Sequence, residues 1–283
     1  MKANPNLPFR TLAAIVFIVA SLGSLLLLQY PAPNCEAPYI REIEQTSRAI
    51  RRSGATADLH FRRAKAYAEL DQEAKAVADY SQALALGAPE SEILPPRAKC
   101  LNVEGQNEEA LQDLLRAQDI LPPSAGLFHR LADVYCDMER FDESQAAFAQ
   151  GLELAPSDAR LLTCQARMFR AKGDPEAARR GYDAALRADP EYVYANDCRG
   201  RLLLDQDKYQ EAIADFTRVV EAPTTCYLRR VQLRAYAARY AAARAGGIRG
   251  YQFDPFKAGI VAAKLQWIEQ RIQEAEQAGA DEP

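Results

Sequence analysis

A 34-residue period runs through the middle of this chain and constrains its fold more than any other feature. Pro122, Pro156 and Pro190 are spaced by 34, as are Ala98, Ala132, Ala166 and Gly200. A period this strict, sustained over several copies, marks one supersecondary unit stacked on itself. The copy at 159–192 shows the unit most plainly. Two helical segments are broken at Gly173-Asp174-Pro175 and stopped at Asp189-Pro190, with small residues at Ala166, Ala178 and Ala185 and rings at Phe169 and Tyr182. Paired helices meet where side chains are small enough for close backbone approach, and larger side chains fill the remaining gap. One such hairpin buries too little apolar surface alone, so each copy depends on its neighbours. β-branched residues are sparse beyond the N-terminus, and no sheet is expected.

Five copies align at 57–90, 91–124, 125–158, 159–192 and 193–224. The first keeps Ala64, Tyr67, Ala76, Tyr80 and Ala83, and the second keeps Ala98, Gly105, Ala110, Ala117 and Pro122. In the third, Ser144 and Gly151 replace alanines, while the fifth keeps Gly200, Tyr209, Ala212 and Phe216 and closes one residue early at Pro223. The adjacent Pro95-Pro96 of the second copy predict a first helix that starts late, near Pro95, because proline is tolerated only in a first turn. A helix over 37–52, with Tyr39, Ile43 and Ile50 on one face, is placed to cap the first open end. Residues 225–283 read as a degenerate sixth hairpin closing the other end.

This spacing of small residues, aromatics and closing proline resembles the tetratricopeptide repeat over residues 57–223. The resemblance implies an all-α, right-handed superhelical solenoid whose first helices line a concave, peptide-binding groove. The positions that would face that groove carry Lys65, Lys99, Arg130, Arg160, Arg167, Arg170 and Arg201. Acids interleave at Asp58, Glu69, Glu92, Asp133, Asp137, Asp197 and Asp205, but none falls at a groove position of the fourth copy. Such a patch can hold an acidic peptide or a C-terminal carboxylate through forked hydrogen bonds; equally, the arginines can pair with acids of adjacent copies. Phe61 and Pro96 stand where the family's carboxylate clamp would need other residues. A second basic face, Arg229, Arg230, Arg234 and Arg244, lies opposite Leu228, Val231, Ala235 and Ala242 and is either a surface for anionic lipid or nucleic acid or a simply solvated one.

The N-terminus is a different object. Residues 12–28 carry no charge and are interrupted only by Ser21, Gly23 and Ser24. Seventeen helical residues reach roughly 25 Å, the short end of a bilayer span. Residues 12–30 are therefore expected to form an uncleaved transmembrane signal anchor, since four leucines follow the only small cluster and no small-x-small cleavage site ends the run. Lys2 and Arg10 precede it without an acid, which predicts a cytoplasmic tail at 1–11. The linker and capping helix at 31–56 and the repeats would then lie across the membrane, in the periplasm if the source is Gram-negative.

Chemistry is sparse. A formal net charge of −4 argues against nucleic acid as partner. No nucleophile–base motif, phosphate loop or metal-spaced Cys/His cluster appears in the linear sequence, and the reading is of a protein that is not an enzyme and carries no cofactor. The two histidines, His60 and His129, fall at packing or groove positions of different copies. Cys100, Cys136, Cys164 and Cys198 all sit on first helices, whose separation of about 8–10 Å exceeds the reach of a disulfide, so free thiols are expected. Two functions fit: a membrane-anchored scaffold that recruits a protein or peptide, or an accessory receptor that holds an acidic ligand or glycan for a separate enzyme.

Overall fold

The computed structural model describes residues 36–222, with Ala235, Ala238, Arg239, Ala242, Ala245, Gly246 and Gln277 beyond them. Among these residues the protein is an all-α solenoid of eleven helices without a strand. The helix α1 (Ala37–Ser53) precedes five hairpins: α2 (Ala57–Glu69) with α3 (Glu73–Ala85), α4 (Glu90–Val103) with α5 (Asn107–Ile120), α6 (Ala125–Asp137) with α7 (Phe141–Leu154), α8 (Ala159–Ala171) with α9 (Pro175–Ala188), and α10 (Val193–Asp205) with α11 (Tyr209–Glu221). Each helix packs on the next in sequence, and the first helices α4, α6, α8 and α10 also touch one another in turn. That second set of contacts forms the inner wall of the stack.

The period becomes packing in a direct way. Tyr80, Leu114, Phe148, Tyr182 and Phe216, spaced by 34, are all fully buried in the clusters that run along the stack. Small residues decide how closely the helices approach. A β-carbon at Gly200 would stand 2.8 Å from the Phe216 ring, and one at Gly181 would stand 2.7 Å from the Ala166 β-carbon. The buried Ser144, in an alanine position, donates its hydroxyl to the Ala132 carbonyl at 2.8 Å, so its polar atom is satisfied inside the core.

The turns repeat as well. In every hairpin the first helix ends with a six-residue closure, as in Gln72 N–H to Tyr67 O at 2.9 Å and Arg140 N–H to Tyr135 O at 2.8 Å. The residue before each donor is left-handed: Asp71, Gly105, Glu139, Gly173 and Asp207, with φ between 55° and 85°. Thr56, Ser124 and Asp158 cap the first helices α2, α6 and α8 by accepting backbone N–H groups.

One expectation is corrected. The helix α4 starts at Glu90, not near Pro95, and both prolines lie inside it. Without N–H groups at 95 and 96, the Ser91 and Glu92 carbonyls lose their intrahelical partners, but both residues are exposed and can bond water. A late start would instead strip Ile93 and Leu94 from the core, where they are 0% and 4% exposed. Burial of two large side chains outweighs two carbonyls that water can serve.

At the ends, α1 buries Ile40, Ile43, Thr46 and Ser47 against α2, with Ile40 rather than Ile50 completing the face. At the other end Ala235 and Ala242 are helical, fully buried, and join the cluster of Leu203, Phe216 and Val219. The expected anchor at 12–30, most of the closing segment 225–283, and Arg229, Arg230, Arg234 and Arg244 lie outside the described residues. No helix among the described residues is long and apolar enough to cross a membrane.

Candidate functional site

A cleft of about 680 Å³ opens on the inner wall between α4, α6, α8 and the start of α10. The helical period aims one stripe of each first helix into it: Lys99 and Asn102 from α4, His129, Arg130, Asp133 and Asp137 from α6, Arg160, Cys164 and Arg167 from α8. Tyr192 and Tyr194 close one side as an edge-on pair with ring centroids 6.3 Å apart, and Val103 and Val134 add apolar wall. Four of the expected groove cations, Lys99, Arg130, Arg160 and Arg167, are thus brought together. The other three are not in the lining: Lys65 lies over the Phe61 ring at 5.3 Å, Arg170 pairs with Asp205, and Arg201 pairs with Asp197 at 3.0 Å.

The fourth repeat has no groove acid of its own, but its neighbours supply them. Arg167 is 4.0 Å from Asp133 of the third repeat, Arg170 reaches Asp205 of the fifth, and Arg160 is 3.3 Å from Asp158, the cap of its own helix. Beside the Arg167–Asp133 pair at a separation of 34, three inner-wall contacts join a residue to the one 35 positions later, one repeat plus one. Asn102 donates to Asp137 at 2.8 Å, His129 meets Cys164 at 3.1 Å, and Arg170 meets Asp205. The rise and twist between hairpins set that offset.

Arg130 differs from the other three. It is half-buried, its guanidinium donates to the Gly126 carbonyl at 3.1 Å, and no carboxylate lies within ion-pairing distance among the described residues. Burial and the nearby Arg160 both hold its pKa below the usual arginine value. Its site is therefore one where an incoming anion gains a charge-assisted, forked hydrogen bond without displacing a resident acid. Burial likewise pushes the Asp133 carboxyl up and the His129 imidazole down, His129 being further depressed by Arg160 and Arg130.

The four described cysteines are free thiols, Cys100, Cys164 and Cys198 buried and Cys136 half-buried. His60 is no groove residue. It is buried and its Nδ1 lies 2.7 Å from Asp79. That aspartate belongs to a feature visible in the sequence and not read from it. Arg63–Asp79, Arg97–Asp113 and Arg199–Asp215 form forked ion pairs at 2.6–2.8 Å between the two helices of their hairpins. In the third and fourth repeats both partners change together, to Leu131 with Ala147 and Gln165 with Gly181. Paired loss at a fixed spacing of 16 was the available signal.

Tetratricopeptide repeat family models match residues 57–86 and 129–193. No curated protein matches the chain. Among solved structures, the chain is similar to a thermophilic tetratricopeptide repeat protein of Thermus thermophilus, with a TM-score of 0.56 and 17% identity over 64% of this chain and 100% of that one. A tetratricopeptide repeat protein from Parabacteroides merdae gives a TM-score of 0.56 and 16% identity over 88% of this chain and 99% of that one. At such identity the likeness speaks to fold. The matched segments at 57–86 and 129–193 are similar to tetratricopeptide repeats, and the stacked hairpins share the fold of those solved structures.

Proposed function

We propose that this protein is a non-catalytic scaffold that holds an acidic segment of a partner protein, an acidic peptide or a C-terminal carboxylate, in the cleft between α4, α6, α8 and α10. Arg130 carries the reading: a half-buried cation without an acidic partner among the described residues, beside Arg160, in a cleft wide enough for an extended peptide. Val103, Val134, Tyr192 and Tyr194 offer apolar contact next to the charge, the mixture that peptide recognition needs. A non-catalytic role is favoured by the His129–Cys164 pair in the cleft. Its thiol is pushed far up by burial, and among the described residues no acid orients the second nitrogen of its histidine. With residues 12–30 as a membrane anchor, the solenoid would present the cleft at the cell envelope, in assembly or maturation of envelope components.

The test is binding of carboxylate-terminated and acidic peptides to the detergent-solubilised full chain. Arg130→Glu with Arg160→Glu is expected to weaken binding at least tenfold with helicity unchanged, and binding by the wild type is expected to fall steeply with salt. Undiminished binding by the double variant would remove the cleft from consideration. The Tyr192–Tyr194 pair favours a second reading, an accessory receptor for an acidic glycan; saturable binding of an acidic oligosaccharide but of no peptide would select it. Alkaline extraction of membranes and protease access in spheroplasts test the anchor and its orientation.

A further inference from the structure

We propose that His129, Asp133 and Cys164 form a binding site for a divalent transition-metal ion of the zinc class at the floor of the cleft. His129 Nε2 lies 3.1 Å from Cys164 Sγ and 3.5 Å from Asp133 Oδ2, and one donor atom from each residue falls within 4.8 Å of the others. Around a tetrahedral zinc ion with ordinary bond lengths, nitrogen and sulfur ligands stand about 3.5 Å apart and nitrogen and oxygen ligands about 3.4 Å. The two distances from His129 are thus within a few tenths of an ångström of those of a tetrahedron, and Cys164 and Asp133 lie within 4.8 Å of each other. The fourth position faces the cleft, which is the open arrangement of an ion that can also take a ligand from outside.

The orientation of the imidazole separates this reading from a nucleophilic one. A base in a catalytic triad meets the nucleophile with one ring nitrogen and the orienting acid with the other. Here thiol and carboxylate face the same nitrogen, Nε2. Three donors converging on one point is how ligands surround an ion. Placement on the backbone is rigid: His129 and Asp133 are one helical turn apart on α6, and Cys164 comes from α8 by the inner-wall offset of 35.

Charge is consistent with the site. Binding releases the thiol proton to solvent, so a thiolate and a carboxylate neutralise the dication; the liganded site is neutral beside Arg130, Arg160 and Arg167, one unit more positive than the free thiol and carboxylate. Arg167 is 4.0 Å from both Cys164 Sγ and Asp133 Oδ1, but its side chain is 42% exposed and can turn into the cleft. The inference is separate from peptide binding, which the same variants measure in parallel.

The probe is Co²⁺, titrated into the reduced, untagged full chain and followed by thiolate-to-cobalt charge transfer, then displaced with Zn²⁺. One cobalt per chain with a thiolate band is expected. The band should vanish in Cys164→Ser, affinity should fall at least about tenfold in His129→Gln and Asp133→Asn, and Cys136→Ser should bind as wild type. Circular dichroism checks each fold. If Cys164→Ser loses helicity, the partly exposed Asp133→Asn decides. Absence of the band, its persistence in Cys164→Ser, or undiminished affinity in a folded Asp133→Asn would overturn the site.

Discussion

Single residues in this solenoid hold positions whose requirements the repeat dictates. The turn inside each hairpin needs a left-handed residue, and two of five repeats use glycine while Asp71, Glu139 and Asp207 accept φ of 55–58°. A non-glycine there costs roughly 1–2 kcal/mol, partly offset because glycine loses more entropy on folding. Glu139→Gly, at an exposed turn, is accordingly expected to raise stability by about 0.5 kcal/mol, read as a higher urea midpoint at unchanged slope. Burial has a different consequence at Cys100, whose thiol it pushes up to about 11 from 9.0. With the folded pKa raised, the stability tied to the protonated thiol is present below pH 9 and lost as pH rises from about 9 through 11. At pH 8 the native Cys100 thiolate is about a hundredfold scarcer than that of an unburied thiol. Peptide-resolved alkylation should find it correspondingly slow, and a rate near that of an unfolded peptide would contradict the burial.

Elements meet in two ways, through apolar packing common to all five hairpins and through an ion pair present in three. Arg97 and Asp113 are 21% and 9% exposed at the side chain, with Ser81 of the preceding hairpin also accepting from Arg97 at 3.2 Å. Removing one partner of such a pair leaves a buried charge uncompensated, whereas replacing both with apolar groups is often neutral. The third repeat has made that replacement with Leu131 and Ala147. Asp113→Ala alone should cost about 2–4 kcal/mol, while Arg97→Leu with Asp113→Ala should come within about 1 kcal/mol of wild type. A double variant as unstable as the single would show that the pair stabilises the hairpin outright. This exchange was legible in the sequence, because a residue pair and its loss share one spacing. The start of α4 was not, since local proline chemistry points to Pro95 and only the depth of Ile93 and Leu94 in the stack reverses it.

For the whole molecule, a stack in which each hairpin leans on the next is stabilised roughly as a sum of nearest-neighbour interfaces. The helix α1 seals the first interface with Ile40 and Ile43, the latter fully buried. Ile43→Asp should therefore loosen that end preferentially. By native-state hydrogen exchange, amides of α2 and α3 are expected to exchange faster while those of α8 and α9 hold. Uniform acceleration across all five hairpins would mean that the solenoid unfolds as one unit.

The sequence by itself determined the repeat length, the hairpin unit and the small and aromatic residues that each hairpin buries. All of these follow from periodicities along one chain, 3.6 residues within a helix and 34 between hairpins. Only the tertiary structure decided which side chains of different repeats touch: Arg167 with Asp133, Arg170 with Asp205, and His129 with Cys164. Those contacts depend on the rise and twist from one hairpin to the next, which place His129 and Arg170 beside residues 35 positions on and Arg167 beside the residue 34 positions back. That small offset is set by how side chains of many sizes pack between helices, and no local pattern encodes it. Among the described residues it left Arg130 without a carboxylate and brought an imidazole, a carboxylate and a thiol close together.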